Sequence, residues 1–403
     1  MNIAISGLDI LLSDGGAQRH IINVSRILKK YYNIVYLPDP ALMKKYKKNI
    51  KYIKNKIENI EEHIKIIDSF KEIIENDYTY DEILTMYAKE NFDFIYDFEF
   101  INNGIFPDIF ALTLSKKMKK SMGTGVQGLG DFNLHFKPYA YSTLKLSKNP
   151  KIFSYRVYHY INRNILLEKL NSCKNIKFAI ISNNNYFENL DIKIRNLEVL
   201  NPASGITDGD LDITKFKKDK EENKIVFFSR LSYNKGIFDI PYILKILKDE
   251  YNGDFKFTLI GKFYYENEKK IFFKMLEKYG LKDNVEYLGY LSNEDLYGEV
   301  SSAKLMIYPS HTDSFSIAVS QALLLGTPVI AYNIAGLKRY GSFNAVKLVE
   351  EFDYSSMARE AIKMLKNNND DLFDENVKSF LRKHTWQNVA IAYRNIFEKY
   401  LRF

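Results

Sequence analysis

The sequence predicts an α/β protein built from two successive doubly wound domains, each a parallel sheet between helices. Three observations carry that expectation. Short apolar runs alternate with helical patterns through both halves of the chain, the order that feeds a parallel sheet. Glycine-bearing turns close several of those runs, at Gly15-Gly16, Gly236, Gly261 and Gly289. The length of 403 residues exceeds what one hydrophobic core supports.

Along the chain, residues 2–8 read as a buried first strand, Gly15-Gly16 as its turn, and 21–30 as a helix. Ile34–Leu37 is a second strand, stopped by Pro38 and Pro40. In residues 41–75, Ile50, Ile53, Ile57, Ile60 and Ile64 recur at spacings of three and four among Lys44, Lys45, Lys47, Lys48, Lys51, Lys54 and Lys56. That pattern predicts an amphipathic helix with a basic face, suited to an anionic membrane surface or to solvent. Phe92–Phe98 reads as a strand, followed by helical residues up to Met122. Lys177–Ser182 is a further buried strand. Residues 206–223, rich in Asp and Lys, mark the linker. The alternation then restarts with strands at 225–228, 256–260, 285–288, 305–308 and 329–332. Gly326 is the expected C-cap of the helix Phe315–Leu325.

Composition narrows the function classes. Hydrophobic residues at 46% and charged residues at 27% describe an ordinary globular chain. One cysteine, Cys173, excludes an internal disulfide and a cysteine-based zinc site and fits a reducing compartment. The N-terminus lacks a signal-peptide pattern, and no run of about 18 apolar residues occurs. A cytoplasmic protein, peripheral on the membrane inner face if residues 41–75 dock there, is the expectation. The net charge is +8, and residues 1–203 hold 29 Lys and Arg against 22 Asp and Glu, the remainder 29 against 28. The excess in the first half suits an acidic partner or simple solubility.

Two stretches carry the chemistry. Pro309-Ser310-His311-Thr312-Asp313-Ser314-Phe315-Ser316 lies past the C-terminal end of a strand and opens a helix, where α/β sheets bind ligands. A helix N-terminus there offers free N–H groups to diphosphate oxygens. Gln321, eight residues after Asp313, falls about two turns into that helix. Ser229-Arg230-Leu231-Ser232-Tyr233-Asn234-Lys235-Gly236 places two cations on one strand-to-helix turn. Arg230 suits a bidentate grip on pyrophosphate and Lys235 a point charge.

These stretches resemble family 4 of the nucleotide-sugar-dependent glycosyltransferases, which have the GT-B fold. The family's Gly-Arg-Leu-x-x-x-Lys-Gly segment stands here as Ser229 through Gly236. Its Pro-Ser-x-x-Glu-x-Phe-x opening of a Glu-x7-Glu motif stands as Pro309-Ser310 through Asp313-Ser314-Phe315-Ser316, with Gln321-Ala322 and Gly326-Thr327-Pro328-Val329 after it. Gly261 and Gly289 fall where the family has glycines, and Gly15-Gly16-Ala17-Gln18-Arg19 is similar to its first-domain glycine loop. Thr385-Trp386 and the helix after it are similar to the last helix, which crosses back to the first domain. Four positions depart from the pattern: both motif carboxylates become Asp313 and Gln321, Gln127 replaces a first-domain histidine, and Ser229 replaces a glycine.

The resemblance implies an acceptor-binding domain at 1–205, a donor domain at 206–382 and a returning helix at 383–403. It implies a retaining transfer in which Arg230 and Lys235 neutralise the leaving diphosphate and Asp313 binds sugar hydroxyls. Ser314, Phe315 and Ser316 would offer N–H groups, and Gln321 would hold the ribose. Gly15 and Gly16 would admit the diphosphate, with Gly261 completing the donor pocket. Glu99, Gln127 and His135 are the acid/base or acceptor candidates of the first domain. The donor would be a nucleotide-sugar and the acceptor a saccharide or lipid-linked saccharide, with no cofactor and no metal. A transferase-like binding subunit without chemistry is the alternative. Gly123-Thr124-Gly125-Val126-Gln127-Gly128 matches a dinucleotide fingerprint, but it follows a helix-like basic run and Lys148 stands where an acid is required. No His-x3-His zinc pair occurs, and no nucleic-acid partner is expected.

Overall fold

The computed structural model describes residues 1–13, 15–98, 109–126, 168, 170–182, 194–207, 212–263, 265–367 and 369–401. The described residues divide into two compact units, one of 1–126, 168–207 and 384–401, the other of 212–383.

The first unit holds a seven-stranded parallel sheet in the order β3-β2-β1-β4-β5-β6-β7. Its strands are β1 (Asn2–Ser6), β2 (Asn33–Tyr36), β3 (Lys65–Ile66), β4 (Phe94–Asp97), β5 (Met122–Gly125), β6 (Ile176–Ile181) and β7 (Leu197–Val199). Helices α1 (Gly16–Leu28), α2 (Met43–Lys48), α3 (Ile50–Ile60), α4 (Phe70–Glu75), α5 (Tyr80–Ala88) and α6 (Ile109–Met118) accompany it. The last helix of the chain, Trp386–Leu401, also packs here. Its Tyr393 hydroxyl lies 3.0 Å from His20 Nε2, and Trp386 stands edge-on to the same imidazole. Burial without a charged partner drops the His20 pKa to about 4, so this histidine is a neutral core group.

Several expectations change here. Helix α1 starts at Gly16 rather than residue 21, directly after an extended Gly15. The span 41–75 is not one helix but α2, α3, the short β3 and α4. Its isoleucines do mark an amphipathic face, yet Ile53, Ile57, Ile60 and Ile64 are all buried in the core of this unit. Met122 does not end a helix. It opens β5, which pairs with β4 and β6. Two of its four residues are glycines, and the packing explains them. A side chain at Gly123 would enter the Phe178 ring at 2.4 Å, and one at Gly125 would meet the Phe98 carbonyl oxygen at 2.2 Å.

The second unit holds a six-stranded parallel sheet in the order β10-β9-β8-β11-β12-β13. The strands are β8 (Glu221–Phe228), β9 (Lys256–Ile260), β10 (Val285–Gly289), β11 (Ala303–Tyr308), β12 (Val329–Tyr332) and β13 (Val346–Val349). Helices α7 (Ile240–Glu250), α8 (Glu266–Lys278), α9 (Asn293–Ser302), α10 (Ile317–Leu324), α11 (Tyr354–Lys366) and α12 (Glu375–Lys383) flank it. The supposed linker already contains the start of β8, because Glu221–Asn223 extend the strand before its apolar part begins. β11 is buried at every position, as a central parallel strand covered on both faces must be. The chain leaves β8 toward β9 on one side and returns to β11 on the other. The strand order therefore reverses between β8 and β11, and the crevice at their C-terminal ends is the ligand position of such a sheet.

Candidate functional site

Both chemistry-bearing stretches emerge at this reversal. β8 runs into the turn Ser229–Gly236, and β11 runs into the loop Pro309–Ser316. Gly236 has φ +74°, and a Cβ there would lie 1.9 Å from the Pro309 carbonyl oxygen. Only glycine satisfies both the left-handed backbone and that approach. Gly261, at φ +138°, admits the Ser229 carbonyl in the same way, with 1.9 Å to a hypothetical Cβ. Its place at the end of β9 thus serves the seating of the first loop.

The two loops are bonded to each other. The Lys235 ammonium donates to the Thr312 carbonyl at 2.7 Å and to Asp313 Oδ1 at 2.8 Å. The His311 N–H donates to the Asn234 carbonyl at 3.0 Å. Tyr308, the last residue of β11, donates its hydroxyl to Asp313 Oδ2 at 2.9 Å. Burial, with Asp313 beside it, holds the Tyr308 pKa well above the usual phenol range, so its hydroxyl stays protonated and can donate to that carboxylate. Lys235 and Asp313 side chains are 10% and 11% exposed, which makes theirs a largely buried ion pair. The side chain of Arg230 is exposed at the mouth of the turn.

Helix α10 begins at Ile317, two residues later than its pattern predicts, because Ser316 is its N-cap. Ser316 has φ +62°, and its hydroxyl accepts from the Val319 N–H at 3.4 Å. The N–H groups of Ser314, Phe315 and Ser316 therefore belong to the loop and not to the helix. Tyr340 holds that loop from behind, its hydroxyl donating to the Phe315 carbonyl at 2.6 Å. The Phe315 ring is buried, with the Arg339 guanidinium 5.2 Å above it. Gln321 is 5% exposed, and its amide donates to the Tyr297 hydroxyl at 3.4 Å. Asp313 and Gln321 are thus on the predicted loop and helix, Asp313 against Lys235 and Gln321 against α9.

In the first unit, Gly15 is extended at φ −171° and faces only the flexible end of Gln18, and Gly16 is the first residue of α1. Glu99, Gln127 and His135 lie outside the described residues. Among the described residues no group of three or more His, Cys, Asp and Glu side chains is placed to hold a metal ion.

Sequence reasoning missed the supports of the site. Asp239, the N-cap residue of α7, and Glu351, just after β13, bracket His311. Glu268 on α8 accepts the backbone N–H of Tyr233, inside the cationic turn, and is 5% exposed. Burial pushes its carboxyl up to about 7. A carboxylate four residues after Lys235 was the one available signal for Asp239. Glu268 and Glu351 are separated from the motifs by whole elements, so nothing local announced them.

Comparison with known proteins locates these features. Residues 209–380 match the family model described as glycosyl transferases group 1. A 41.2 kDa protein of the cps region of Klebsiella pneumoniae is 26% identical over 233 residues, 55% of this chain and 58% of that one. The 2-deoxystreptamine N-acetyl-D-glucosaminyltransferase of Niallia circulans is 23% identical over 167 residues, 41% and 40% of the two chains. The chain thus spans 58% and 40% of the length of these two relatives. The whole fold is that of Anabaena HepE, crystallised in complex with UDP and glucose, at TM-score 0.67 and 14% identity with both chains fully covered. It is the GT-B fold. Among the described residues no helix is long and apolar enough to cross a membrane.

Proposed function

Residues 209–380 belong to the glycosyl transferases group 1 family, and from that premise we propose that the chain moves a sugar, with retention, from a nucleotide-sugar to a saccharide or lipid-linked saccharide. The observation that carries this reading is the bonded pair of loops at the β8/β11 reversal. It brings an exposed Arg230, a fixed Lys235 ammonium and a carboxylate to one place.

The chemistry follows from charge. Departure of the nucleotide leaves a diphosphate, and preorganised cations where that charge develops lower the barrier. Lys235 uses two donors on Thr312 and Asp313, which aims the ammonium and leaves one N–H for a phosphate oxygen. The Arg230 guanidinium adds a planar fork. Asp313, anchored by Lys235 and Tyr308, binds sugar hydroxyls, and the N–H groups at the start of α10 face the diphosphate. Gln321 serves the ribose side. No metal is needed for the charge compensation described. The crystallised neighbour that holds UDP and glucose supports a nucleotide-sugar donor and puts UDP first among the nucleotides to try.

The acceptor belongs to the first unit, where the cationic excess lies. Because the isoleucine face of α3 is buried, contact with a bilayer rests on charge alone. Lys44, Lys45, Lys48 and Lys51 are exposed beside Tyr52, which is 48% exposed. They suit phosphate headgroups of an anionic leaflet, or the phosphate of a lipid-linked acceptor.

The test is thermal shift and calorimetry with UDP, GDP, ADP, CMP and dTDP and their sugar conjugates, followed by product analysis. One nucleotide family binds, Arg230→Ala removes the binding with the melting temperature unchanged, and sugar is released or transferred with retained configuration. Nucleotide binding without turnover on any acceptor would replace this reading by the inactive binding subunit. No nucleotide binding at all would overturn both.

A further inference from the structure

His311 lies two residues before Asp313 and is 8% exposed. Its Nε2 is 3.0 Å from Asp239 Oδ2 and its Nδ1 is 2.6 Å from Glu351 Oε1. A neutral imidazole donates from one nitrogen only, whereas here both nitrogens meet carboxylate oxygens. The arrangement is satisfied when both carry a proton. Tyr332 and Phe352 flank the ring, with centroids at 5.3 and 4.7 Å. The Tyr332 hydroxyl donates to Asp239 Oδ2 at 2.8 Å, and that of Tyr354 to Asp239 Oδ1 at 3.4 Å. The main chain of the same residue is bonded to Asn234, next to Lys235. One residue thus joins the cationic turn, the start of α7 and the end of β13 to the loop that carries Asp313.

We propose that His311 is a positioning residue of the donor site, clamping the Asp313 loop onto the Lys235 turn as an imidazolium between Asp239 and Glu351. The inference rests on the donor-site reading above and adds the element that sets its geometry. Without the clamp, the Thr312 carbonyl and the Asp313 carboxylate are no longer fixed, and the Lys235 ammonium that they aim loses its direction. The two carboxylates outweigh the desolvation of the buried ring and raise the His311 pKa to about 9, which keeps the clamp charged through neutral pH.

The experiment uses the full chain in two arms. In the first, imidazole nitrogen resonances of 15N-histidine-labelled protein are followed from pH 6 to 10, and His311 is assigned among the six histidines with His311→Gln. An imidazolium signature that persists above pH 8 supports the clamp. A signal that turns neutral below pH 7 overturns it, whatever binds. In the second, calorimetry measures UDP, GDP and ADP affinity at pH 7.5 and 9.5. Wild-type affinity falls about tenfold or more between these values, the scale of a small misplacement of binding groups. His311→Gln is already that much weaker at pH 7.5 and shows only the shallow drift due to the nucleobase itself. Glu351→Gln, which keeps the Asp239 contact and so guards against a fold lost in the first variant, moves the wild-type transition to lower pH. Equal affinities and pH profiles in all three proteins would overturn the positioning role. A persistent imidazolium with no nucleotide bound by the wild type would uphold the clamp and overturn the transferase reading.

Discussion

Replacing Lys235 by methionine separates what the buried pair contributes to stability from what it contributes to the site. The substitution keeps the stem and deletes the ammonium, so Asp313 retains only the Tyr308 hydroxyl among the contacts described for it. Removing one partner of a buried ion pair costs about 3–5 kcal/mol, because the other charge is left in a poorly solvating place. Both side chains keep about a tenth of their surface, so the low end, about 3 kcal/mol, applies here. At about 2–4 °C per kcal/mol for a unit of this size, the melting temperature falls by roughly 6–12 °C. The double variant Lys235→Met with Asp313→Asn removes the orphaned charge and regains about 2 kcal/mol. The pair then has a coupling energy well above that of independent sites. Nucleotide affinity behaves differently. It is lost in Lys235→Met and is not regained in the double variant, since both lack the ammonium that shares the diphosphate charge with Arg230. Thermal unfolding and calorimetry on the four proteins of the cycle give both quantities. Additive stabilities would show that the two groups are not coupled, and a double variant that binds nucleotide as well as the wild type would remove Lys235 from the site.

Other expectations follow from neighbouring geometry. Gly236→Ala places a methyl 1.9 Å from the Pro309 carbonyl oxygen at φ +74°; it costs at least about 1 kcal/mol in backbone strain and displaces the Asp313 loop, so nucleotide binding falls more than the melting temperature does. His311 has a folded pKa raised from 6.5 to about 9. Its contribution is therefore complete below pH 6.5 and is lost as pH rises toward 9, up to about 3 kcal/mol, and urea unfolding across this window shows a drop that His311→Gln lacks. Glu268 has a folded pKa raised to about 7; here too stability is lost as pH rises, from 4.5 through 7, so Glu268→Gln stabilises by up to about 3 kcal/mol at pH 8 and by little at pH 4.5 in the same assay. Changing Lys44, Lys45, Lys48 and Lys51 together to glutamine removes about 1 kcal/mol of attraction each to anionic vesicles, and sedimentation in 0.1 M and 0.5 M salt distinguishes this from an inserted apolar face, which salt would not release.

The two parallel-sheet units, the loops that carry the site and their order along the chain are all legible in the order of amino acids. They depend on local signals: apolar runs of strand length, the spacing of Ile53, Ile57 and Ile60, and a glycine demanded by backbone conformation at 236. Local signals also misled. Gly123 and Gly125 match a dinucleotide fingerprint in sequence, whereas the Phe178 ring and Phe98 carbonyl that need the empty space arrive from other parts of the sheet. The amphipathic pattern of 41–75 fits an anionic membrane surface or an ordinary surface helix with a solvated lysine face, since periodicity states that a face is apolar and not what covers it. Two features came from packing in space: Lys235 faces Asp313, and His311 is held between Asp239 and Glu351. The three ion pairs among them join residues tens of positions apart. The reversal of strand order between β8 and β11, and the packing of α7 and β13 beside it, bring those residues within bonding distance.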